Sequence, residues 1–337
     1  MRNGSGDTGS APALAQLAPI LAAGGPGMDE LVARTEARLS EVVVAYGRVL
    51  GVHAGTTLAA GGKRLRPTLL FLCAGETRDD APVAAAVAVE LLHMATLVHD
   101  DVLDGAALRR GRPTVVQAAG RGAATATGDL LFSRAFAELV RAGSSEAVRV
   151  LSRASSGLAR GELLQRADAW SAEVTPDRYL ERCELKTGRL FEAACRLGAL
   201  LGRPGDGAAD ALGAFGARIG VAFQIFDDVL DVSGRPERTG KRRGADLVDG
   251  TVTLPLILAR RRDEALARLD LRAEVADPDR VELLCERIAA TGALGDARAH
   301  ALRHVEEAKA ALASLDLPND QREALELVAV SVVERYA

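Results

Sequence analysis

The chain has 337 residues, a length that suits one large domain or two ordinary ones. Its net charge of -4 and pI of about 5.9 lack the basic excess typical of nucleic-acid-binding proteins. Hydrophobic residues make up 48% of the chain but aromatics only 3%, so the core must consist mainly of Ala, Leu and Val. Because Ala and Leu are strong helix formers, the composition favours an all-α protein.

Two features of the sequence predict a cytoplasmic protein. The four cysteines show no C-x-x-C spacing, which indicates reduced thiols. No run of 18 apolar residues is free of charge, and residues 1–27 lack the basic region of a signal peptide. We therefore expect a disordered N-terminal arm over residues 1–27 and a single all-helical domain over residues 28–337, without a transmembrane segment.

Apolar residues recur at helical spacing from residue 28 to residue 52, and Gly61-Gly62 then interrupts the pattern before Pro67 begins the next helix. The segment 81–103 is apolar on most faces, so it should be central to a bundle. Further helices are predicted over about 130–141, 146–167, 176–201, 211–230, 253–267, 279–292, 294–313 and 320–335. We expect about a dozen helices around a central cavity and no sheet.

The pentapeptide Asp-Asp-Val-Leu-Asp ends two of these apolar segments. Its carboxylates are Asp100, Asp101 and Asp104 in the first copy and Asp227, Asp228 and Asp231 in the second. The first and last aspartates of each copy share one helix face, where like charges repel by roughly 0.2–0.5 kcal/mol, and the helix C-terminus also disfavours anions. A single copy could be an acidic helix end, but two copies predict Mg²⁺, which prefers oxygen ligands and commonly binds together with substrate phosphates.

Basic residues follow the same pattern. Cations occur on the glycine-opened loop 62–67, in the run 109–112 after the first aspartates, and in two later positions. The candidates are Lys63, Arg66, Arg109, Arg110, Arg112, Lys186 and Lys241. Each alone could be an ordinary surface residue. Together with the acidic clusters they predict a site for one Mg-bound diphosphate and a second, metal-free anion.

These motifs resemble the trans-polyprenyl diphosphate synthase family over about residues 30–337. The resemblance rests on Gly62-Lys63-Arg64-Leu65-Arg66-Pro67, on residues 100–104 and 109–114, on Lys186-Thr187 and on residues 223–231, and it extends to residues 240–241, 246–247 and 250–255. The one departure is Gly105, which stands where an aspartate is frequent.

The resemblance implies the isoprenoid synthase fold and a head-to-tail condensation, in which an allylic diphosphate ionises and the double bond of isopentenyl diphosphate attacks the cation. It implies three Mg²⁺ ions held by the aspartates, chiefly Asp100, Asp104 and Asp227. It assigns Arg109, Lys186 and Lys241 to the allylic diphosphate, Lys63, Arg66, His93 and Arg110 to isopentenyl diphosphate, and Thr187 and Gln224 to the reacting carbons. It also implies a homodimer whose product passes to a membrane.

Product length should depend on the helix before the first aspartates. Ala95 lies about 7.5 Å upstream of Asp100, and Leu92 about 12 Å upstream. Short-chain members of the family tend to place an aromatic residue at the first position, so Ala95, flanked by Thr96, favours a product of C30 or longer. Leu92 or Phe132 could set a deeper floor. The alternative is a C15–C20 synthase.

Two other activities are compatible with parts of this pattern. A terpene cyclase of the same fold would need no second diphosphate site, whereas the loops with Lys63, Arg66 and Arg110 are intact. A non-catalytic regulatory subunit of a heteromeric synthase should have lost aspartates, and none is missing here.

Overall fold

The computed structural model describes residues 18–334, with gaps at residues 46, 60, 63, 203–206 and 235–242. In the first half of the chain the elements are α1 (Ala18–Ala23), α2 (Met28–Val44), α3 (Gly47–Ala59), α4 (Leu65–Ala74), α5 (Asp80–Asp104), β1 (Leu108–Arg109), β2 (Arg112–Pro113), α6 (Val115–Val140) and α7 (Ser145–Asp168). In the second half they are α8 (Pro176–Cys183), a π-helical turn (Glu184–Gly188), α9 (Arg189–Gly202), α10 (Ala209–Ser233), α11 (Ala245–Val248), α12 (Leu254–Arg260), α13 (Glu264–Ala267), α14 (Leu271–Glu274), α15 (Pro278–Ala290), α16 (Ala293–Ala313) and α17 (Asn319–Glu334). The predicted all-α class is confirmed.

The chain forms two compact units, each assembled from three segments. Unit 1 takes residues up to 152, 193–213 and 315–328, and unit 2 takes residues 153–192, 214–314 and those from 329 onward. The single domain over residues 28–337 stays a prediction.

Helix α5 is the centre of unit 1. Every residue from Pro82 to Leu92 is buried, because this run of Ala, Val and Leu packs against α2, α4 and α6. The one charge in the run, Glu90, forms a buried ion pair with Arg64, 2.5 Å from Glu90 Oε1 to Arg64 Nη1. Removing one partner of such a pair typically destabilises a protein by about 3–5 kcal/mol, so Arg64 has a structural role.

Helix α9 lies directly on the backbone of α4 within unit 1. A Cβ atom on Gly198 would stand 2.1 Å from the carbonyl oxygen of Leu70, and one on Gly202 would stand 2.4 Å from that of Ala74. These contacts require glycine at both positions. Helix α17 is also attached to α4, because the Gln321 amide donates a 2.6 Å hydrogen bond to Leu72 O.

Helix α12 is the short central helix of unit 2, packed against α8, α13, α15 and α16. Pro255 lies in its first turn. The predicted helix over 253–267 is broken in the structure, because Asp263 caps a new helix instead. Its Oδ1 accepts hydrogen bonds from the backbone N–H groups of Ala265 and Leu266, at 2.9 and 3.1 Å.

Three further predictions need correction. Residues 18–23 of the predicted arm form α1, with Ile20 buried, while residues 1–17 lie outside the described chain. Helix α6 begins at Val115 rather than near 130, because its Ala- and Gly-rich first half, kinked at Gly120, has no apolar period to reveal it. The basic run after α5 is a small antiparallel hairpin, β1–β2, and not an irregular loop.

Two helices, α5 and α10, are long and apolar enough to cross a membrane by length and composition alone. Within their most apolar windows, 78% and 56% of the residues are buried inside the protein. Core helices commonly have this character, and the hydropathy of α5 is explained by its central place in unit 1.

The contact between α9 and α4 can be tested with two glycine substitutions. Gly198→Ala should lower the free energy of unfolding by about 1–3 kcal/mol, because the added methyl group meets a backbone oxygen that no rotamer change can move. The matched control is Gly295→Ala on α16, where a Cβ meets nothing within 4 Å and the better helix propensity should stabilise by up to about 1 kcal/mol. Thermal or denaturant unfolding measures both. Equal effects of the two changes would contradict the close contact.

Candidate active site

The first aspartate motif ends α5, where Gly105 takes the left-handed conformation of a C-cap. Its middle residue, Asp101, is buried and paired with Arg109, whose Nε and Nη2 atoms lie 2.8 and 2.7 Å from Asp101 Oδ1. Burial raises the pKa of Asp101, and the pair with Arg109 opposes that rise. Asp100 is half-buried and Asp104 is exposed, so these two carboxylates are accessible at the helix end.

The hairpin after α5 separates the arginines of the basic run. Arg109 faces Arg112 across the two strands, while Arg110 and Gly111 form the turn with φ angles of 51° and 74°. Two left-handed residues are typical of a type I′ hairpin turn. Arg109 turns towards Asp101, whereas Arg110 reaches Gly62, where a Cβ atom would stand 3.3 Å from Arg110 Nη1. The hairpin therefore brings the basic segment 109–112 next to the basic segment 62–67.

His93 lies among these cations. Burial lowers its pKa well below the ordinary value, and the neighbouring positive charges lower it further, so the imidazole is neutral. In order of their effect, these charges belong to Arg66, Arg110, Arg109 and Arg64. The pKa of Arg66 falls to about 10, mainly through burial. Unit 1 thus brings together three residues predicted for isopentenyl diphosphate, Arg66, His93 and Arg110; the fourth, Lys63, lies outside the described residues.

The second aspartate motif belongs to unit 2, near the end of α10. Asp228 is only 3% exposed, and its two carboxylate oxygens accept hydrogen bonds from Tyr179 and Gln224. Burial raises the pKa of Asp228 well above its ordinary value. Asp227 is half-buried.

Asp231, the last residue of the motif, caps a helix. Its two carboxylate oxygens accept hydrogen bonds from the backbone N–H groups of Ala245 and Asp246, both at 3.1 Å, at the start of α11. Burial raises the pKa of Asp231 to about 8. Lys241, the predicted cation of this region, lies outside the described residues.

The π-helical turn carries Lys186 and Thr187. Lys186 Nζ lies 2.6 Å from Glu162 Oε2 on α7, and the Thr187 hydroxyl donates a 2.7 Å hydrogen bond to Gln224 Oε1. A Cβ atom on Gly161 would stand 2.7 Å from the backbone nitrogen of Lys186, so glycine is needed where α7 meets the turn. Single-turn π-helical insertions are frequent at functional sites.

Sequence reasoning missed three residues of unit 2, namely Gly161, Glu162 and Tyr179. The local signal for the first two was the adjacent pair Gly-Glu inside a helix, since a mid-helix glycine usually has a packing reason. Tyr179 had no such signal.

The residues predicted to control product length divide into two groups. Ala95 and Leu92 are fully buried, and half-buried Thr96 donates a hydrogen bond to His93 O at 2.8 Å. Phe132 is 37% exposed and lies against Phe136, with ring centroids 5.5 Å apart. A role for Phe132 in setting product length stays a prediction.

The donor types at the two motifs suit Mg²⁺, because carboxylate oxygens are its preferred protein ligands. Within the part of the chain that the structure describes, no three His, Cys, Asp or Glu side chains are grouped closely enough to hold an ion by themselves.

Comparison with known proteins identifies the family. The sequence model described as polyprenyl synthetase matches residues 49–288. The chain is 40% identical over 254 residues to heptaprenyl diphosphate synthase component 2 of Geobacillus stearothermophilus, with 74% of this chain and 79% of that protein covered. It is 39% identical over 259 residues to geranylgeranyl diphosphate synthase of Methanosarcina mazei, with the same coverage of 74% and 79%.

Solved structures support the same family assignment. The polyprenyl synthase from Caulobacter crescentus CB15, determined with calcium and isoprenyl diphosphate, superposes with a TM-score of 0.82 at 34% identity and covers 100% of both chains. The chain therefore belongs to the polyprenyl synthetase family and is a prenyltransferase with the all-α isoprenoid synthase fold. The family makes trans-prenyl diphosphates.

Proposed function

We propose that this chain condenses isopentenyl diphosphate head-to-tail with an allylic prenyl diphosphate, in a Mg²⁺-dependent reaction that releases diphosphate. The observation that carries the proposal is the cluster of Arg66, His93 and Arg110 in unit 1. His93 lies on α5, the helix that ends in the first aspartate motif, Arg66 lies in the first turn of α4, and Arg110 lies in the hairpin turn. A terpene cyclase has no need of this second anion site.

Within this proposal the isopentenyl diphosphate binds the cationic cluster. The guanidinium groups of Arg66 and Arg110 present planar donors to phosphate oxygens. His93 stays neutral beside them, so its ring adds a hydrogen bond without adding to the mutual repulsion of the arginines. Binding of the anion relieves that repulsion, which favours occupancy of the site.

Asp100, Asp104 and Asp227 would hold Mg²⁺ on the allylic diphosphate. Asp104 is exposed and Asp100 and Asp227 are half-buried, whereas Asp101 and Asp228 are buried, and this difference in accessibility supports the assignment. When bound, the metal would neutralise the charge that develops on the leaving diphosphate. Calcium accompanies isoprenyl diphosphate in the Caulobacter crescentus enzyme, which supports a divalent cation here.

Lys186, Thr187 and Gln224 would act around the allylic group. Lys186 is held by Glu162 and can turn its charge to a phosphate, as the predicted Lys241 would. Thr187 and Gln224 present polar oxygens that steady a carbocation electrostatically. The apolar residues of α5 exclude water, which would otherwise quench the cation.

We infer a product of C30 or longer from the small buried residue Ala95, with Leu92 further along the same helix. The names of the relatives leave both lengths open, because one is a heptaprenyl and the other a geranylgeranyl diphosphate synthase. A C15–C20 product remains the alternative.

We also propose a homodimer in the cytoplasm. The four cysteines are free and buried, which suits a reducing compartment. The name "component 2" of the Geobacillus relative supports a second possibility, that this chain works together with a different subunit.

The decisive experiment is incubation of the purified chain with labelled isopentenyl diphosphate, Mg²⁺ and, separately, C5, C10, C15 and C20 allylic primers. Chromatography of the dephosphorylated products should show elongation, and chelation of the metal should abolish it. Absence of elongation with every primer would contradict the proposed function. Gel filtration with light scattering gives the oligomeric state in the same preparation.

The hairpin offers a matched test of the anion site. Arg110→Ala should raise the KM for isopentenyl diphosphate by about tenfold or more, because one charge-assisted hydrogen bond is lost, while the KM for the allylic primer stays the same. Arg121→Ala, an exposed arginine on α6 outside the predicted cations, is the control and should change neither KM by more than about twofold. Equal effects of the two changes would place the site elsewhere.

Product length can be tested at Ala95, which is fully buried in α5. Ala95→Phe should shorten the longest product while preserving turnover, since the larger ring fills space along the helix that carries the aspartates. Gas or liquid chromatography of the products from one primer measures the shift. An unchanged product distribution in a folded, active variant would contradict a role for Ala95.

A further inference from the structure

Three hydrogen bonds connect four side chains of unit 2 around Asp228, in the second aspartate motif. The Tyr179 hydroxyl donates to Asp228 Oδ2 at 2.7 Å, and Gln224 Nε2 donates to Asp228 Oδ1 at 2.8 Å. The Thr187 hydroxyl donates to Gln224 Oε1 at 2.7 Å. Tyr179, Asp228 and Thr187 are buried, and Gln224 between them is half-buried.

The chain of bonds has a fixed direction. The Tyr179 hydroxyl and the Gln224 NH₂ group both donate to Asp228, one to each carboxyl oxygen. Gln224 must therefore point its NH₂ group at Asp228 and its oxygen at Thr187. Because the single proton of the Thr187 hydroxyl is then committed to Gln224, that hydroxyl presents only oxygen lone pairs in other directions.

Tyr179 is held in a single orientation. Its side chain is fully buried on α8, and the guanidinium carbon of Arg182 lies 5.5 Å from the centre of its ring. Arg182 is fixed in turn, because its Nη2 donates a 2.6 Å hydrogen bond to Val252 O. Packing therefore holds the Tyr179 hydroxyl in place, and a residue that orients other side chains must itself be held in this way.

We propose that Tyr179 is a positioning residue for the condensation, which acts through Asp228 and Gln224 to fix the orientation of the Thr187 hydroxyl. This inference rests on the proposed function, in which Thr187 and Gln224 line the reacting carbons. Oxygen lone pairs stabilise a developing cation, whereas a hydroxyl turned with its proton outward opposes it. A corollary is that Asp228 anchors this network and does not bind the metal, although it belongs to the aspartate motif.

The first test is Tyr179→Phe, which removes only the hydroxyl. The expected result is a fall in kcat of about tenfold, the effect of one hydrogen bond, with unchanged KM for both substrates and an unchanged Mg²⁺ concentration for half-maximal rate. The control is Ser233→Ala, which removes another hydroxyl of unit 2, one that donates to Val229 O on α10 at 2.8 Å. That control should keep the wild-type kcat. A Tyr179→Phe enzyme with wild-type kcat overturns the proposal.

The second test is a double-mutant cycle with Thr187→Val. If Tyr179 acts through the Thr187 hydroxyl, Tyr179→Phe should cause no further loss of kcat in the Thr187→Val background. Losses that multiply independently overturn the proposal. Should Tyr179→Phe fail to fold, Asp228→Asn takes its place in the cycle, because its amide breaks the same pattern of acceptors.

The third test asks whether Asp228 anchors the hydrogen-bond network or binds the metal as Asp227 does. Asp227→Asn should raise the half-saturating Mg²⁺ concentration by about tenfold or more, whereas Asp228→Asn should lower kcat and leave that concentration unchanged. An equal shift in both variants overturns the proposal. The experiments distinguish failure of the proposed function from failure of this inference. If the wild-type protein elongates no primer, both are overturned. If the wild-type protein is active and the Tyr179→Phe variant is equally active, only this inference is overturned.

Discussion

Negative charge at the ends of two apolar helices is the constraint on which the candidate site depends. Helices α5 and α10 both carry carboxylates in their last two turns, where burial and the helix dipole disfavour anions. The protein compensates with specific donors, and each donor brings another element to the helix end. Arg109 brings the hairpin to Asp101, Tyr179 brings α8 to Asp228, and two backbone amides bring α11 to Asp231. The position of the cationic hairpin is therefore a consequence of satisfying a buried aspartate.

Close backbone contacts determine whether short side chains in unit 2 can meet. A Cβ atom on Gly220 would stand 2.8 Å from the Cα of Gly188, so α10 and the π-helical turn touch through two glycines. Gly161 likewise lets α7 approach the backbone of the π-helical turn closely at Lys186. Thr187 has only a short side chain, and it reaches Gln224 because the backbones are this close. The glycines thus determine the geometry of the polar groups without touching a substrate.

Sequence patterns predicted the elements whose signals are local. The bounds of α5 were predicted to within a residue, because an apolar run begins at a proline and ends before Gly105. The convergence of Arg66, His93 and Arg110 followed from motifs with strong family resemblance. The first half of α6 was missed because Ala, Gly and Thr give no apolar period, and β1 and β2 were missed because two residues are too short to alternate. Tyr179 was missed since its partner lies 49 residues away, in another helix.

The two identical pentapeptides show how tertiary partners decide the use of one local sequence. Both pentapeptides are helical, the first at the end of α5 and the second in the last two turns of α10. Asp104 is nevertheless exposed, whereas the Asp231 carboxylate accepts hydrogen bonds from two backbone amides. The middle carboxylate of each motif is buried. Asp101 accepts a hydrogen bond from the cation Arg109, whereas Asp228 accepts hydrogen bonds from the neutral donors Tyr179 and Gln224. The first motif consequently keeps two carboxylates accessible, while two of the three in the second are engaged inside the protein. The neighbouring elements, and not the shared pentapeptide, therefore decide which carboxylates of each motif gain protein donors and which stay open to solvent.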